Sequence, residues 1–154
     1  MITIKKILCP TDFSDFSLYA VTYAVSFAQQ YKAKLLLLHV VDVFLNDPAY
    51  VAPYVADRSI FEDFEKKARA RLEELRKKNV PAGIDTELIV RAGRAFVEII
   101  RAAKEKEIDM IVIATHGRTG LSHAMFGSTA EKVVRKAPCP VLSIKHPEHE
   151  FVMP

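Results

Sequence analysis

No apolar run in the 154-residue chain approaches the roughly 18 residues that a membrane-spanning helix requires. Met1 to Pro10 also lacks the apolar core and small-residue cleavage site of a secretory signal. Those absences predict a protein that stays in the cytoplasm, with no membrane partner. Cysteine is scarce: Cys9 and Cys139 are the two present. Each stands beside a proline and neither belongs to a Cys-x2-Cys pair, which argues against a disulfide framework and a zinc site. Both read as buried thiols without the partner set that nucleophilic catalysis needs. The five glycines form neither GxxxxGK[ST] nor a GxGxxG after the first strand, so dedicated P-loop NTPases and dinucleotide-binding dehydrogenases lose support. No charge of one sign dominates either. The net charge is +3, and the main basic cluster, Arg69 to Lys78, is interrupted by Glu73 and Glu74. It has no aromatic interleaving and reads as a solvated helix face, not a nucleic-acid patch.

What is present is an ordinary folding composition, 50% hydrophobic and 27% charged, in a length that suits one domain. Unbroken apolar runs of strand length suit strands buried on both faces. They occur at Lys6 to Pro10 and Lys34 to Val41, and further strand candidates are Asp85 to Val90, Met110 to Ala114 and Pro140 to Ile144. Helical spacing fills the gaps. Ala20, Val21, Ala24, Val25 and Ala28 follow an N-cap at Ser14, predicting a helix to Tyr31. Phe61, Phe64, Ala68, Leu72 and Leu75 mark one face of a helix over Ser59 to Lys78. Phe96, Ile99, Ile100 and Ala103 mark a third, and Ala130, Val133, Val134 and Ala137 a fourth. This alternation predicts an α/β fold, a doubly wound parallel sheet with helices on both faces. Asp42 to Asp57, with Pro48, Tyr50, Pro53 and Tyr54, remains irregular. We expect one domain over residues 1–145 and a tail over 146–154.

Ligands of such sheets enter beyond the carboxyl ends of the strands, where strand order reverses. The loops there carry Pro10-Thr11-Asp12 and the run Thr115-His116-Gly117-Arg118-Thr119-Gly120, with Gly127-Ser128-Thr129 before the last helix. Glycine lets the backbone approach a phosphate, and a helix start offers unpaired N–H donors and partial positive charge. Ser128 and Thr129 add hydroxyls and Arg118 a guanidinium. An N-capped helix after a tight turn accounts for the same spacing, so the residues alone leave both readings open. Asp12 fits either loop orientation or binding. His39 reads as a hydrogen-bonded packing residue. His116 suits loop orientation or phosphate contact better than general-base catalysis. The HxxH pair His146 and His149 lies in the expected tail and shows no metal geometry.

Ile7-Leu-Cys-Pro-Thr-Asp-Phe-Ser14, Ala114-Thr-His-Gly-Arg-Thr-Gly120, Gly127-Ser128 and Ala137-Pro-Cys-Pro-Val-Leu142 resemble the universal stress protein family over essentially the whole chain except the tail. The resemblance implies a five-stranded sheet of order 3-2-1-4-5, Rossmann-like and similar to adenine nucleotide alpha hydrolases. ATP-binding members share Gly-x2-Gly-x9-Gly-Ser/Thr. Here Gly117, Gly127 and Ser128 match, but Ala114 replaces the first glycine, adding a methyl toward the ribose or adenine that is expected to be tolerated, since alanine is the smallest addition and the phosphate-facing part of the motif is intact. Carried over, the resemblance implies that Pro10, Thr11 and Asp12 border the adenosine, that Val40 offers backbone groups to the adenine, and that Ile113 and Ala114 line its other side. His116, Gly117, Arg118, Gly127, Ser128, Thr129 and Ala130 surround the phosphates in that reading. Mg enters only through ATP, with Asp12 as its one protein ligand. The family also implies a homodimer along the strand Val141 to Lys145; for the tail residues Phe151, Val152 and Met153, crossing to the partner and disorder both stay open.

Three functions follow as expectations: a nucleotide-dependent stress or signalling module that binds ATP and acts on an unidentified protein partner, a slow ATPase or phosphate-transfer enzyme, and a nucleotide-free dimeric interaction module.

Overall fold

A computed structural model describes residues 1–41, 58–117 and 127–147, with the side chains of 58–61 outside that description. Five strands and four helices alternate along them: β1 (Lys6–Pro10), α1 (Asp15–Tyr31), β2 (Lys34–Val41), α2 (Arg58–Asn79), β3 (Thr86–Ala92), α3 (Ala95–Glu105), β4 (Met110–Ala114), α4 (Ser128–Lys136) and β5 (Val141–Ile144). The strands form one parallel sheet in the order β3-β2-β1-β4-β5, the architecture and order expected from the sequence. The chain leaves β1 toward β2 on one side and crosses later to β4 on the other. The order therefore reverses between β1 and β4, the place in such a sheet where ligands are received.

Apolar alternation on both faces decides which helix goes where. Ile7, Cys9, Leu35, Leu37, Val112 and Ala114 face one way, under α1 (Ala20, Val21, Ala24, Val25, Ala28) and α2 (Leu72, Leu75). Leu8, Leu36, Leu38, Ile111 and Ile113 face the other, under α3 (Ile99, Ala102, Ala103) and α4 (Ala130, Val133). Leu8, Leu35, Leu36, Leu37 and Leu38 are fully enclosed, which is why β1 and β2 read as continuous apolar runs.

Several boundaries and exposures differ from expectation. β3 runs on to Ala92, because Arg91 and Ala92 continue the ladder opposite Val40 and Val41. Phe64 and Val134 stay 49% and 45% exposed; among the described side chains α2 meets the core from Ala68 onward, Phe61 lying outside them, and α4 buries Ala130 and Val133 instead. Cys9 is buried, and desolvation pushes its thiol up to about 12. Cys139 is only half-buried, because it precedes β5 between Pro138 and Pro140. Its thiol is raised by burial and then by the nearby Asp109 charge. The segment 42–57 and residues 148–154, including His149, lie outside the described residues. Among the described residues no helix is long and apolar enough to cross a membrane, and no cluster of three or more His, Cys, Asp or Glu stands ready for a metal.

Candidate nucleotide site at the carboxyl rim of the sheet

The loop after β1 is built by its own side chains. The Thr11 N–H donates to the Leu38 carbonyl at 2.8 Å, extending the β1 ladder one residue past the strand. Thr11 is buried and its Oγ1 bonds the Ser17 hydroxyl at 2.9 Å. Asp12 Oδ1 accepts from the Ser14 N–H at 2.9 Å and from the Ser14 hydroxyl at 2.5 Å. Ser14 in turn caps α1, its Oγ accepting the Ser17 N–H at 3.2 Å. Asp12 thus orients the loop, as one reading of the sequence held, with its other oxygen toward the loop that follows β4.

Between Asp12 and Ser14, Phe13 takes φ 63°, a conformation that bulky residues rarely adopt. Its ring lies 4.5 Å from the His39 ring and 4.1 Å from the Arg71 guanidinium, centroid to centroid and guanidinium carbon to centroid respectively. A residue held so against its preference is over-determined by its packing. His39 Nδ1 lies 2.8 Å from the Thr11 carbonyl, the hydrogen-bonded packing role expected of it.

Across the crevice, the loop after β4 comes very close. A Cβ on Gly117 would stand 2.6 Å from Asp12 Oδ2, and one on Gly127 would stand 3.1 Å from the Thr115 carbonyl. The Gly127 N–H donates to that same carbonyl at 2.6 Å, so the loop leaves β4 at Thr115 and returns beside it to start α4. Gly127 is the N-cap of α4 and brings no side-chain oxygen to the first-turn N–H groups. Those of Ser128, Thr129 and Ala130 therefore begin the helix at the rim. Ser128 is exposed, Thr129 half-buried and Ala130 buried.

The predicted residues gather at this rim with some distinctions. Pro10, Thr11 and Asp12 lie between β2 and β4. Val40 and Ile113 belong to the same face, in the apolar layer that also includes Ala130. Ala114 points the other way: its side chain is 7% exposed in the core beneath α1. The methyl that replaces the first motif glycine is thus core packing, aimed away from the crevice. His116 is 7% exposed, with Nδ1 3.0 Å from Thr115 Oγ1 and its ring 6.1 Å from Phe16. Arg118, with Thr119 and Gly120, lies outside the described residues.

The sequence reading missed Phe13 as a builder of this rim, and it had Ser14 only as the cap of α1 and Thr115 only as a member of the loop run. It also missed Glu98, which is buried near the rim end of β3. Glu98 sits 2.6 Å from Arg101 and 3.7 Å from Arg91 and packs against Gly93, whose φ of 143° suits glycine alone. The Gly93 N–H donates to the Val41 carbonyl at 3.1 Å, tying this turn to the end of β2.

A profile of the universal stress protein family matches residues 3–145. The chain belongs to that family. Universal stress protein MJ0531 of Methanocaldococcus jannaschii is 35% identical over 148 residues, covering 95% of this chain and 85% of its own length. The solved structure of MJ0577, from the same organism, superposes with a TM-score of 0.81 at 28% identity, over 94% of this chain and 98% of that one. Two other solved universal stress proteins share the fold at lower identity. One, in complex with cAMP, has a TM-score of 0.66 at 24% identity, covering 92% of this chain and 97% of its own. The other, from Archaeoglobus fulgidus in complex with dAMP, has a TM-score of 0.59 at 22% identity, covering 94% of this chain and all of its own (100%).

Proposed function

We propose that this universal stress protein binds ATP at the rim between β1 and β4, and that occupancy, not turnover, is its output. The observation that carries the proposal is the pair of glycines with no room for a side chain. Gly117 is pressed against the Asp12 carboxylate and Gly127 against the Thr115 carbonyl, and together they bring a bare backbone and the start of α4 to one crevice. That arrangement suits phosphate oxygens. The fold itself accommodates adenine mononucleotides in the cAMP and dAMP complexes of its relatives.

In this reading Pro10, Thr11 and Asp12 border the adenosine, with Val40 at the adenine edge and Ile113 on its other side. Gly117, Gly127, Ser128, Thr129 and Ala130 hold the phosphates by main-chain N–H and hydroxyl donors, Arg118 adds charge, and His116 braces the loop from within through Thr115. Asp12 is the one carboxylate among these residues. A Mg ion arriving with ATP would take a single protein oxygen from it, completing its shell with phosphate and water. Ligand contacts on both loops would fix the crevice and present one surface to a protein partner. We propose the second copy as a further partner: β5 is an edge of the sheet, paired only with β4 among the described strands, and an exposed edge is otherwise prone to uncontrolled pairing.

Calorimetric titration with ATP tests the site. Wild type is expected to show saturable binding, and Gly127→Val to weaken it at least about tenfold, roughly 1.4 kcal/mol, while melting as a folded protein. Equal affinity in the folded variant contradicts the proposed phosphate cradle.

A further inference from the structure

The outer face of α1 is unlike that of an ordinary surface helix. Asp15 is the one charged side chain among its 17 residues, whereas solvated helices normally carry charge on the face away from the core. Beside uncharged Thr22, Ser26, Gln29 and Gln30 runs a ridge of aromatic rings four residues apart, Tyr19, Tyr23, Phe27 and Tyr31, of which Tyr19 and Phe27 are half-buried against the core and Tyr23 and Tyr31 are exposed. Tyr19 and Tyr23 meet edge to face at 5.3 Å with their hydroxyls 3.3 Å apart, and Phe27 stacks on Tyr31 at 6.2 Å. Tyr23 and Tyr31 remain 39% and 44% exposed. An uncharged aromatic ridge of this kind marks a surface that something covers.

The chain itself points to the occupant. After β5, His146 does not stand free as a tail residue. Its ring packs edge-on against Phe16 at 5.3 Å and against Tyr19 at 5.1 Å, at the top of the ridge. The described chain ends one residue later, at Pro147, and seven residues follow, Glu148 to Pro154, with the apolar run Phe151-Val152-Met153 near their end. The ridge from Tyr19 to Tyr31 is about 18 Å long at the helical rise. Seven residues of extended chain reach about 24 Å, and Phe151 alone about 17 Å beyond His146.

We infer that the C-terminal segment Phe151-Val152-Met153 docks on the Tyr23-Phe27-Tyr31 ridge of its own chain. The anchor at His146 makes the contact intramolecular, with the high effective concentration of a short tether, so the tail covers the ridge before a second copy can. Phe16 joins this surface to the rim, its ring touching His146 on one side and lying 6.1 Å from His116 on the other.

The sequence has no tryptophan, so Phe151→Trp supplies a single reporter in the full-length protein. A docked tail gives blue-shifted emission protected from acrylamide. The same reporter combined with Tyr23→Glu and Tyr31→Glu, two exposed positions, is expected to show red-shifted, quenchable emission while circular dichroism stays that of the folded protein. Water-like emission from the single Phe151→Trp variant overturns the inference without reference to the glutamate variants. So does a blue shift that survives them in a folded protein. Co-refolding the triple variant with excess wild type separates the two occupants: emission that stays red is the intramolecular result, and a restored blue shift shows the tail crossing to a second copy, which also overturns it.

Discussion

Gly117→Val is expected to cost ATP affinity on the order of 100-fold, about 3 kcal/mol, in a protein that still folds. The new Cβ would stand 2.6 Å from Asp12 Oδ2, closer than such atoms approach, so one of the two loops must move. Asp12 is not free to yield cheaply, because its other oxygen is bound to both the N–H and the hydroxyl of Ser14, and Ser14 caps α1. The Gly117 side therefore shifts, and with it the spacing between the β1 loop and the start of α4 on which a polyphosphate depends. The cost to folding is smaller, about 1 kcal/mol, since the site is a half-buried loop and not core. Removing the carboxylate as well, in Asp12→Ala/Gly117→Val, relieves the clash, and its unfolding midpoint should exceed that of Gly117→Val alone. Such non-additivity is the sign of direct contact. Unchanged ATP affinity in Gly117→Val, measured by titration, contradicts this account of the crevice.

Leu37→Ala is expected to destabilise the fold by about 3 kcal/mol, within the range for deleting most of an enclosed leucine. Leu37 is 0% exposed on β2, level with Cys9 of β1 and Leu88 of β3, and it packs in the layer beneath α1 and α2. Flanked by paired strands on both sides and covered by helices, the site has little freedom to collapse into the cavity. The loss is read as a lower urea midpoint at unchanged slope, or as a fall in Tm of roughly 6–12 °C for a chain of this size. Val134→Ala, at a position 45% exposed, is expected to shift the midpoint by less than about 0.5 kcal/mol. Similar losses in the two variants would show that the burial pattern is misassigned.

The fold was legible because its determinants are local and redundant. Lys34-Leu-Leu-Leu-Leu-His-Val-Val41 admits few readings besides a strand buried on both faces, and five such segments alternating with 3.6-residue periodicity leave a parallel sheet as the natural solution. The strand order came from the family's motifs and not from periodicity, which is blind to which strands are neighbours. The rim residues were legible as glycines and hydroxyls in the right loops. Their mutual geometry was not, because the approach of Gly117 to Asp12 joins residues more than a hundred positions apart. Phe13 escaped for a sharper reason: a phenylalanine at positive φ contradicts local preference, and only the tertiary contacts with His39 and Arg71 hold it there. Ala114 was expected to be tolerated as the smallest addition, but that its methyl lies in the core beneath α1 was not legible, because the spacing of a motif does not say to which side of a strand a methyl points. Glu98, between Arg91 and Arg101, belongs to no motif that marks it in the sequence. Its burial follows from the Gly93 turn that packs against it.

The central claim is that backbone amides at the start of α4 grip phosphate. Amide shifts of 15N-labelled protein, recorded as ATP and then adenosine are added, test it most directly. The account predicts that ATP moves the Gly127, Ser128, Thr129 and Ala130 amides strongly, while adenosine leaves them nearly still and moves residues near Thr11 and Val40. ATP that binds without disturbing those four amides would contradict it.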